Sequence, residues 1–290
     1  MKPTLLPFAA SLCLALMATS AKAAIPELRY QREGVDIQLS GGISLQSASI
    51  DDSSQPGRSQ DSQQEGYLRL DAEWTSPTGL LFGLNLEQSN SDRETEALQT
   101  GEVYGFVASE LGRIEVGKQD GGADALAFKA PVIALGQIRG DFSRYGGSQA
   151  LLTPTDTGDA FKLIYLSPPV GGLRAAISWA PEYKRNEDAA NPLIRTLVDD
   201  TVEVGLQYQK PVADWVLGVS AGYVDGKAQA ITGRQDLKSW SVGAEARRGP
   251  LRVGGSYVDR GDSNRQTAGF DQWEVNGGVA WVADKWGVSA

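Results

Sequence analysis

The chain alternates apolar and polar residues in short segments that turns separate. Between Tyr67 and Trp74, apolar residues occupy every second position and charged residues most of the positions between them. The apolar set is Leu68, Leu70, Ala72 and Trp74, and the charged set is Arg69, Asp71 and Glu73. A period of two places such sets on opposite faces of a β-strand. Segments 80–87, 202–208, 240–247 and 251–257 repeat the pattern, so the sequence predicts an all-β protein of antiparallel hairpins.

Tight turns alternate with long polar connections along the chain. The tight turns lie near 77–79, 110–112, 168–171, 210–214, 249–250 and 283–285, and the long connections span 50–63, 89–100, 120–159, 182–200, 225–235 and 260–270. In an up-and-down arrangement of strands, successive connections lie at opposite ends. One end should therefore carry the tight turns and the other the large loops, as in outer-membrane barrels. Six tryptophans near predicted strand ends agree with aromatic belts at a membrane surface, namely Trp74, Trp179, Trp215, Trp273, Trp281 and Trp286.

After the first 23 residues, no apolar run is long enough for a helix to span a bilayer. Only helices and closed barrels pair all their backbone polar groups within lipid. The sequence therefore predicts an antiparallel transmembrane β-barrel with a polar inner face. The residues expected on that inner face include Arg69, Asp71, Glu73, Asn85, Glu87, Glu203 and Gln207. A secreted β-sandwich with binding loops would also account for the strands, but not for tight turns at a single end.

The N-terminus has the pattern of a secretory signal peptide. Residues 1–23 combine Lys2, an apolar stretch over 5–17 and the small-x-small site Ala21-Lys22-Ala23. We expect this segment to be removed, which leaves 24–290 as one barrel domain. The one cysteine, Cys13, falls within the signal, so the exported protein should contain no disulfide.

Charge and composition exclude several functions. Without Lys2 and Lys22, 25 basic residues stand against 36 acidic ones, a formal charge of −11, which disfavours nucleic-acid binding. The sequence contains no histidine, and Cys13 is its one cysteine. Catalytic Ser/His and Cys/His pairs and typical zinc sites need those residues. We therefore expect neither an enzyme nor a cofactor or metal site.

Three stretches resemble the general porins of Gram-negative bacteria, which are trimeric 16-stranded barrels. They are 35–41 as a first strand, 105–119 as a hairpin, and 165–173 as the hairpin after a long loop. The resemblance implies a homotrimer in outer-membrane lipid with a water-filled channel for small hydrophilic solutes and ions. Glycines on the polar faces leave little apolar volume to fill the lumen, which agrees with a channel.

The resemblance also implies a pore constriction. The connection 120–159 would fold into the lumen and hold acidic groups opposite basic groups on the wall, which creates a transverse field. The acidic residues are Asp124, Asp141, Asp156 and Asp159, and the basic residues are Arg69, Lys118, Lys162 and Arg174. Strict alternation would point Lys118 outward, so its role requires a β-bulge before the loop. A sparse set of basic residues opposite the acidic ones suggests mild cation preference.

The strand count predicts that the sequence is an incomplete porin. Strands counted from Gly34 give twelve complete ones and a thirteenth that begins at Lys285, whereas bacterial single-chain barrels have even numbers of strands. About three further strands should follow Ala290. A non-conducting barrel that anchors the envelope or adheres has the same strand pattern, and conductance separates it from a pore.

Overall fold

The computed structural model describes residues 19–49, 60–89, 99–131, 157–183, 198–263, 265, 268–269, 271–283 and 287–289. Within these ranges the chain is almost entirely β-structure, with a four-residue helix α1 at Gly122–Ala125 and a 3₁₀ turn at Ala230–Thr232. The strands are β1 Thr19–Arg32, β2 Val35–Ser49, β3 Gln60–Thr75, β4 Leu81–Ser89, β5 Gln99–Ser109, β6 Gly112–Lys118, β7 Phe161–Leu166, β8 Leu173–Tyr183, β9 Val198–Val212, β10 Trp215–Ala228, β11 Leu237–Arg248, β12 Leu251–Gly261, β13 Gln272–Val282 and β14 Gly287–Ser289.

The strands form one sheet of 14 strands in sequence order, and each pairs antiparallel with the next. Tight turns join β1 to β2, β3 to β4 and β5 to β6, while the intervening connections are longer. A sandwich requires two packed sheets. The described strands do not form one, and the predicted antiparallel all-β fold is confirmed. In the described part of the chain, no helix has the length and hydropathy that crossing a membrane requires.

Strand β1 is a difference from the sequence prediction, which began the sheet at Val35. β1 pairs with β2 from Arg32↔Val35 to Thr19↔Ser47, so it overlaps residues 19–23 of the predicted signal peptide. Its alanine-rich first half has no alternation, which is why the pattern did not predict a strand there. The signal peptide and the missing strands after Ala290 both stay predictions.

The sheet has its apolar face outward and its polar face inward. Leu84 and Trp240 are 42% and 41% exposed, whereas the neighbouring positions Asn85 and Ser241 are 1% and 5% exposed. A water-soluble protein has the opposite distribution. The face assignments predicted for β3, β4, β9, β11 and β12 follow this arrangement, which suits a sheet surrounded by lipid.

Aromatic side chains gather near both ends of the strands. At the end with the long connections, Trp240 lies 5.2 Å from Tyr257, which lies 6.1 Å from Trp273, measured between ring centroids. At the end with the tight turns, Trp74 stacks on Phe82 at 5.5 Å. Both positions agree with the predicted interfacial belts.

Candidate pore constriction

A stretch of chain after β6 lies against the inward face of the sheet. We call residues 119–131 the inner segment. The Gly122 N–H donates to Ser178 Oγ on β8 at 3.0 Å, and the Phe128 N–H donates to Ser220 Oγ on β10 at 2.8 Å. Both serines are inward and buried, so the wall itself satisfies backbone groups of the inner segment.

The contacts continue along the sheet. Gln207 Nε2 on β9 donates to the Leu126 carbonyl at 3.1 Å, and the Ala130 N–H donates to Asn276 Oδ1 on β13 at 3.0 Å. Leu126 is 2% exposed. The inner segment therefore crosses the wall from β8 to β13 and is packed against it.

Glycines on the inward face allow this close approach. A Cβ added at Gly205 would collide with the Gly122 carbonyl oxygen, and one at Gly243 with the Phe128 carbonyl oxygen. At Gly218 a Cβ would lie 2.6 Å from the Phe128 ring. A residue with a side chain at any of these positions would displace the inner segment.

The two ends of the connection between β6 and β7 meet at its base. Lys162 Nζ on β7 donates to the Gln119 carbonyl at 2.7 Å and also to the Gly158 carbonyl. Glu203 Oε1 on β9 accepts from Thr157 Oγ1 at 2.7 Å. The described parts of this connection therefore lie on the inward face. Residues 132–156, with Asp141 and Asp156, lie outside the described residues.

Two of the predicted basic residues face inward and have some solvent access. Arg69 Nε contacts Asp71 Oδ2 at 3.1 Å, and its Nη1 lies 3.8 Å from Glu87 Oε2. Arg174 on β8 is exposed, and within the described ranges no acidic group forms an ion pair with it. The positive charge of Arg69 is thus partly compensated by carboxylates of the same wall.

The other two basic residues occupy different surroundings from those predicted. Lys162 is inward but 0% exposed, because both ends of the connection cover it, so it does not line the lumen. Lys118 pairs with Val103 and Phe161 in a regular register without the required bulge. Its side chain therefore starts on the outward face, and its ammonium reaches the Thr100 carbonyl and lies 3.9 Å from Asp159.

Carboxylates cluster at the start and end of the connection. Asp124 in α1 accepts from Lys129 Nζ at 3.3 Å, and Asp159 is 41% exposed. Asp120, which was not predicted individually, keeps access to solvent. Partial burial, together with the carboxylates of Asp124 and Asp159, raises the pKa of Asp120 to about 6.

The sequence reasoning also missed an arginine and an aromatic ring on the inward face of β5 and β6. The Arg113 guanidinium carbon lies 3.4 Å from the centre of the Phe106 ring, and Arg113 Nε contacts Glu115 Oε1 at 2.5 Å. The Phe106 ring packs against Gly83 of β4, where an added Cβ would collide with it. Extending the alternation of polar residues backward from Glu115 would have identified Arg113, since both share one face.

Comparisons with known proteins agree with this architecture. A model of the Gram-negative porin family matches residues 9–290. A porin structure refined at 1.8 Å resolution aligns over 87% of this chain and 81% of its own, at 16% identity and a TM-score of 0.52, which supports the fold. A loop L8 deletion mutant of OmpT, an outer membrane protein of Vibrio cholerae, aligns over 88% and 94% of the two chains at 14% identity and a TM-score of 0.43. A comparison with curated proteins gave no match. Because the family model covers nearly the whole sequence, the chain belongs to the Gram-negative porin family and is a protein of the outer membrane.

Proposed function

We propose that this porin forms a water-filled pore for passive diffusion of small hydrophilic solutes and ions. The observation that carries the proposal is the inner segment, which lies on the polar, inward face of a sheet whose apolar face is outward. A loop in that position narrows a lumen without using the lipid-facing surface. The membership of the porin family agrees with this role.

The charges on the inward face support mild cation preference. Arg69 is paired with Asp71 and Glu87, and Lys162 is buried. Arg69 and Lys162 therefore add little exposed positive charge, whereas the carboxylates of Asp120 and Asp159 keep access to solvent. A negative lining raises the local concentration of cations in a narrow wet passage.

The proposal also covers the assembly of the protein and its lack of a catalytic role. The family resemblance implies a homotrimer in outer-membrane lipid. We propose no catalytic role, because the sequence has no histidine and Cys13 is its one cysteine. Within the described ranges, no group of three His, Cys, Asp or Glu side chains is placed to hold a metal ion.

Conductance tests the proposal. Purified full-length protein in a planar bilayer should give discrete conductance steps, and in a potassium chloride gradient the reversal potential should have the cationic sign. Heat-unfolded protein is the control and should give no steps. Reproducible silence of the folded protein would favour a non-conducting barrel. Among the described residues, the inward cluster of Ala123, Val198, Val224 and Leu237 supports that alternative. A reversal potential of anionic sign would contradict the cation preference alone.

A further inference from the structure

Glu203 is a fully buried carboxylate, although alternation predicted only that it faces inward. It lies on the inward face of β9 and is 0% exposed. Its Oε1 accepts from the Thr157 N–H at 3.3 Å and from Thr157 Oγ1 at 2.7 Å. Its Oε2 has no hydrogen-bond partner in the described part of the chain. A buried carboxylate with one unsatisfied oxygen costs free energy, so its presence calls for a role other than stability.

The surroundings of Oε2 show what else the carboxylate contacts. Oε2 lies against Gly121, where an added Cβ would collide with it. Gly121 precedes α1, and Thr157 precedes β7, so one side chain contacts both ends of the connection between β6 and β7. Two neighbours act on the same region. Lys162 binds carbonyls at both ends of the connection, and Ser178 accepts from the next residue, Gly122.

We propose that Glu203 is a positioning residue for the constriction. It fixes Gly121 and Thr157 relative to β9, so the inner segment leaves the base in the one direction that brings it to Ser178 and Ser220. Hydrogen bonding by Oε1 and the shape of the carboxyl group perform this role, and the negative charge is not required. The effect on conductance rests on the proposed pore function, whereas the effect on the position of the inner segment does not.

Two substitutions separate hydrogen bonding from charge. Glu203→Gln keeps an acceptor for Thr157 and should retain the wild-type unitary conductance. Glu203→Ala removes the acceptor and should give a larger, more fluctuating conductance at an unchanged tendency to form trimers. Thr157→Val, which removes one hydrogen bond and keeps the shape, should change conductance in the same direction by less. Ser241→Ala, at an inward position of β11, is the matched control and should behave as wild type.

A disulfide measures the position of the inner segment directly. A Cβ at Gly122 would lie 3.2 Å from the Cβ of Ala176, so a shift of a few tenths of an ångström would bring the pair into the range of roughly 3.5–4.5 Å found in disulfides. In a Cys13→Ser background, Gly122→Cys with Ala176→Cys should therefore form a disulfide on mild oxidation. Adding Glu203→Ala should slow its formation by about tenfold, the effect expected from the loss of the two hydrogen bonds that Thr157 donates to Oε1. Once formed, the disulfide should restore wild-type conductance to the Glu203→Ala protein.

The outcomes are distinguishable. Equal rates of disulfide formation in the presence and absence of the Glu203→Ala substitution would overturn the proposal, as would failure of the cysteine pair at Gly122 and Ala176 to form a disulfide. A Glu203→Gln protein that behaves like Glu203→Ala would also overturn it, because charge would then be the requirement. If the wild-type protein does not conduct, the pore function fails, but the disulfide rates still decide whether Glu203 positions the inner segment. If Glu203→Ala does not fold, Thr157→Val takes its place in the rate comparison.

Discussion

The inward faces of β3–β6 and of β8–β13 alternate in the same way, yet they carry different residues. The first carries long charged and polar side chains that pair with one another, such as Arg69 with Asp71 and Arg113 with Glu115. The second carries glycines and serines over which the inner segment passes. Where the inner segment contacts the wall, glycines and serines give it room, with Glu203 as a buried charged exception. Arg69 and Asp71 pair where none of the described segments covers them.

The difference has a simple physical cause. A backbone that lies against a wall needs space, which glycine provides, and partners for its N–H and carbonyl groups, which serine, glutamine and asparagine provide. A wall that faces water needs neither, so its side chains can be long and ionised. The parts of the polar faces of β8–β13 that the inner segment covers are consequently packed, although their residues resemble a channel lining.

The largest expected effect is on chemical labelling, which should divide introduced cysteines into three classes of reactivity. Asp71 lies on the inward face of β3–β6, which we call the bare wall because none of the hydrogen bonds described for the inner segment reaches it. Cysteine at Asp71 should react with water-soluble reagents. Cysteine at Ser241, which is inward but only 5% exposed, should be protected, and cysteine at Leu70 should react only with lipid-phase reagents. Labelling of folded protein in lipid vesicles, with Cys13→Ser as background, measures all three. Rapid aqueous labelling at Ser241 would remove the distinction between the two walls, and aqueous labelling at Leu70 would reverse the faces.

A side chain added under the inner segment should have the next largest effect. Gly243→Val places atoms where the Phe128 carbonyl lies, and overpacking of this kind costs about 1–3 kcal/mol in the free energy of unfolding. The matched control is Gly105→Val on the outward face of β5, where the nearest atom to an added Cβ is 3.6 Å away. Denaturant unfolding in detergent and unitary conductance should both change for Gly243→Val and stay near wild type for the control. Equal stability of the two variants would mean that the inner segment does not rest on β11.

The strands and their faces could be predicted from the sequence because alternation is a local property. Leu70 and Asp71 reveal their opposite faces without knowledge of any other strand. β1 was missed because its alanine-rich first half carries no alternation. The space beside Gly205 and Gly243 could not be assigned in the same way. The inner segment occupies it, through contacts between residues about 80 or more positions apart that periodicity does not contain.

The basic residues of the candidate site show the same limit. Lys162 lies on the inward face that alternation gives it, but its burial depends on Gln119 and Gly158, which belong to the covering connection. Lys118 kept the outward start that strict alternation gives, and the bulge that the resemblance required is absent from the regular pairing of β5, β6 and β7. Local pattern predicted the faces, and only the fold determined which groups remain in contact with water.

The smallest expected effect is a pH dependence of ion selectivity, which should arise at Asp120 in the inner segment. Because the pKa of Asp120 is raised to about 6, its carboxyl group is neutral at pH 5 and charged at pH 7. The ratio of cation to anion permeability should therefore increase as the pH rises through 6, whereas carboxylates of ordinary pKa near 4 stay charged over that range. Asp124, Asp159, Lys129 and Lys162 are charged groups that act on Asp120, and Asp120 also interacts with Glu102 on the neighbouring strand β5. Asp120→Asn should lower the ratio at pH 7, leave it near the wild-type value at pH 5, and flatten the increase between them.

Reversal potentials in a salt gradient measure the ratio, with Glu110→Gln in the exposed tight turn as a control that removes a carboxylate far from the constriction. An undiminished increase in the Asp120→Asn protein would mean that another group titrates over this range. Combining Asp120→Asn with Glu102→Gln would then show whether that group is Glu102.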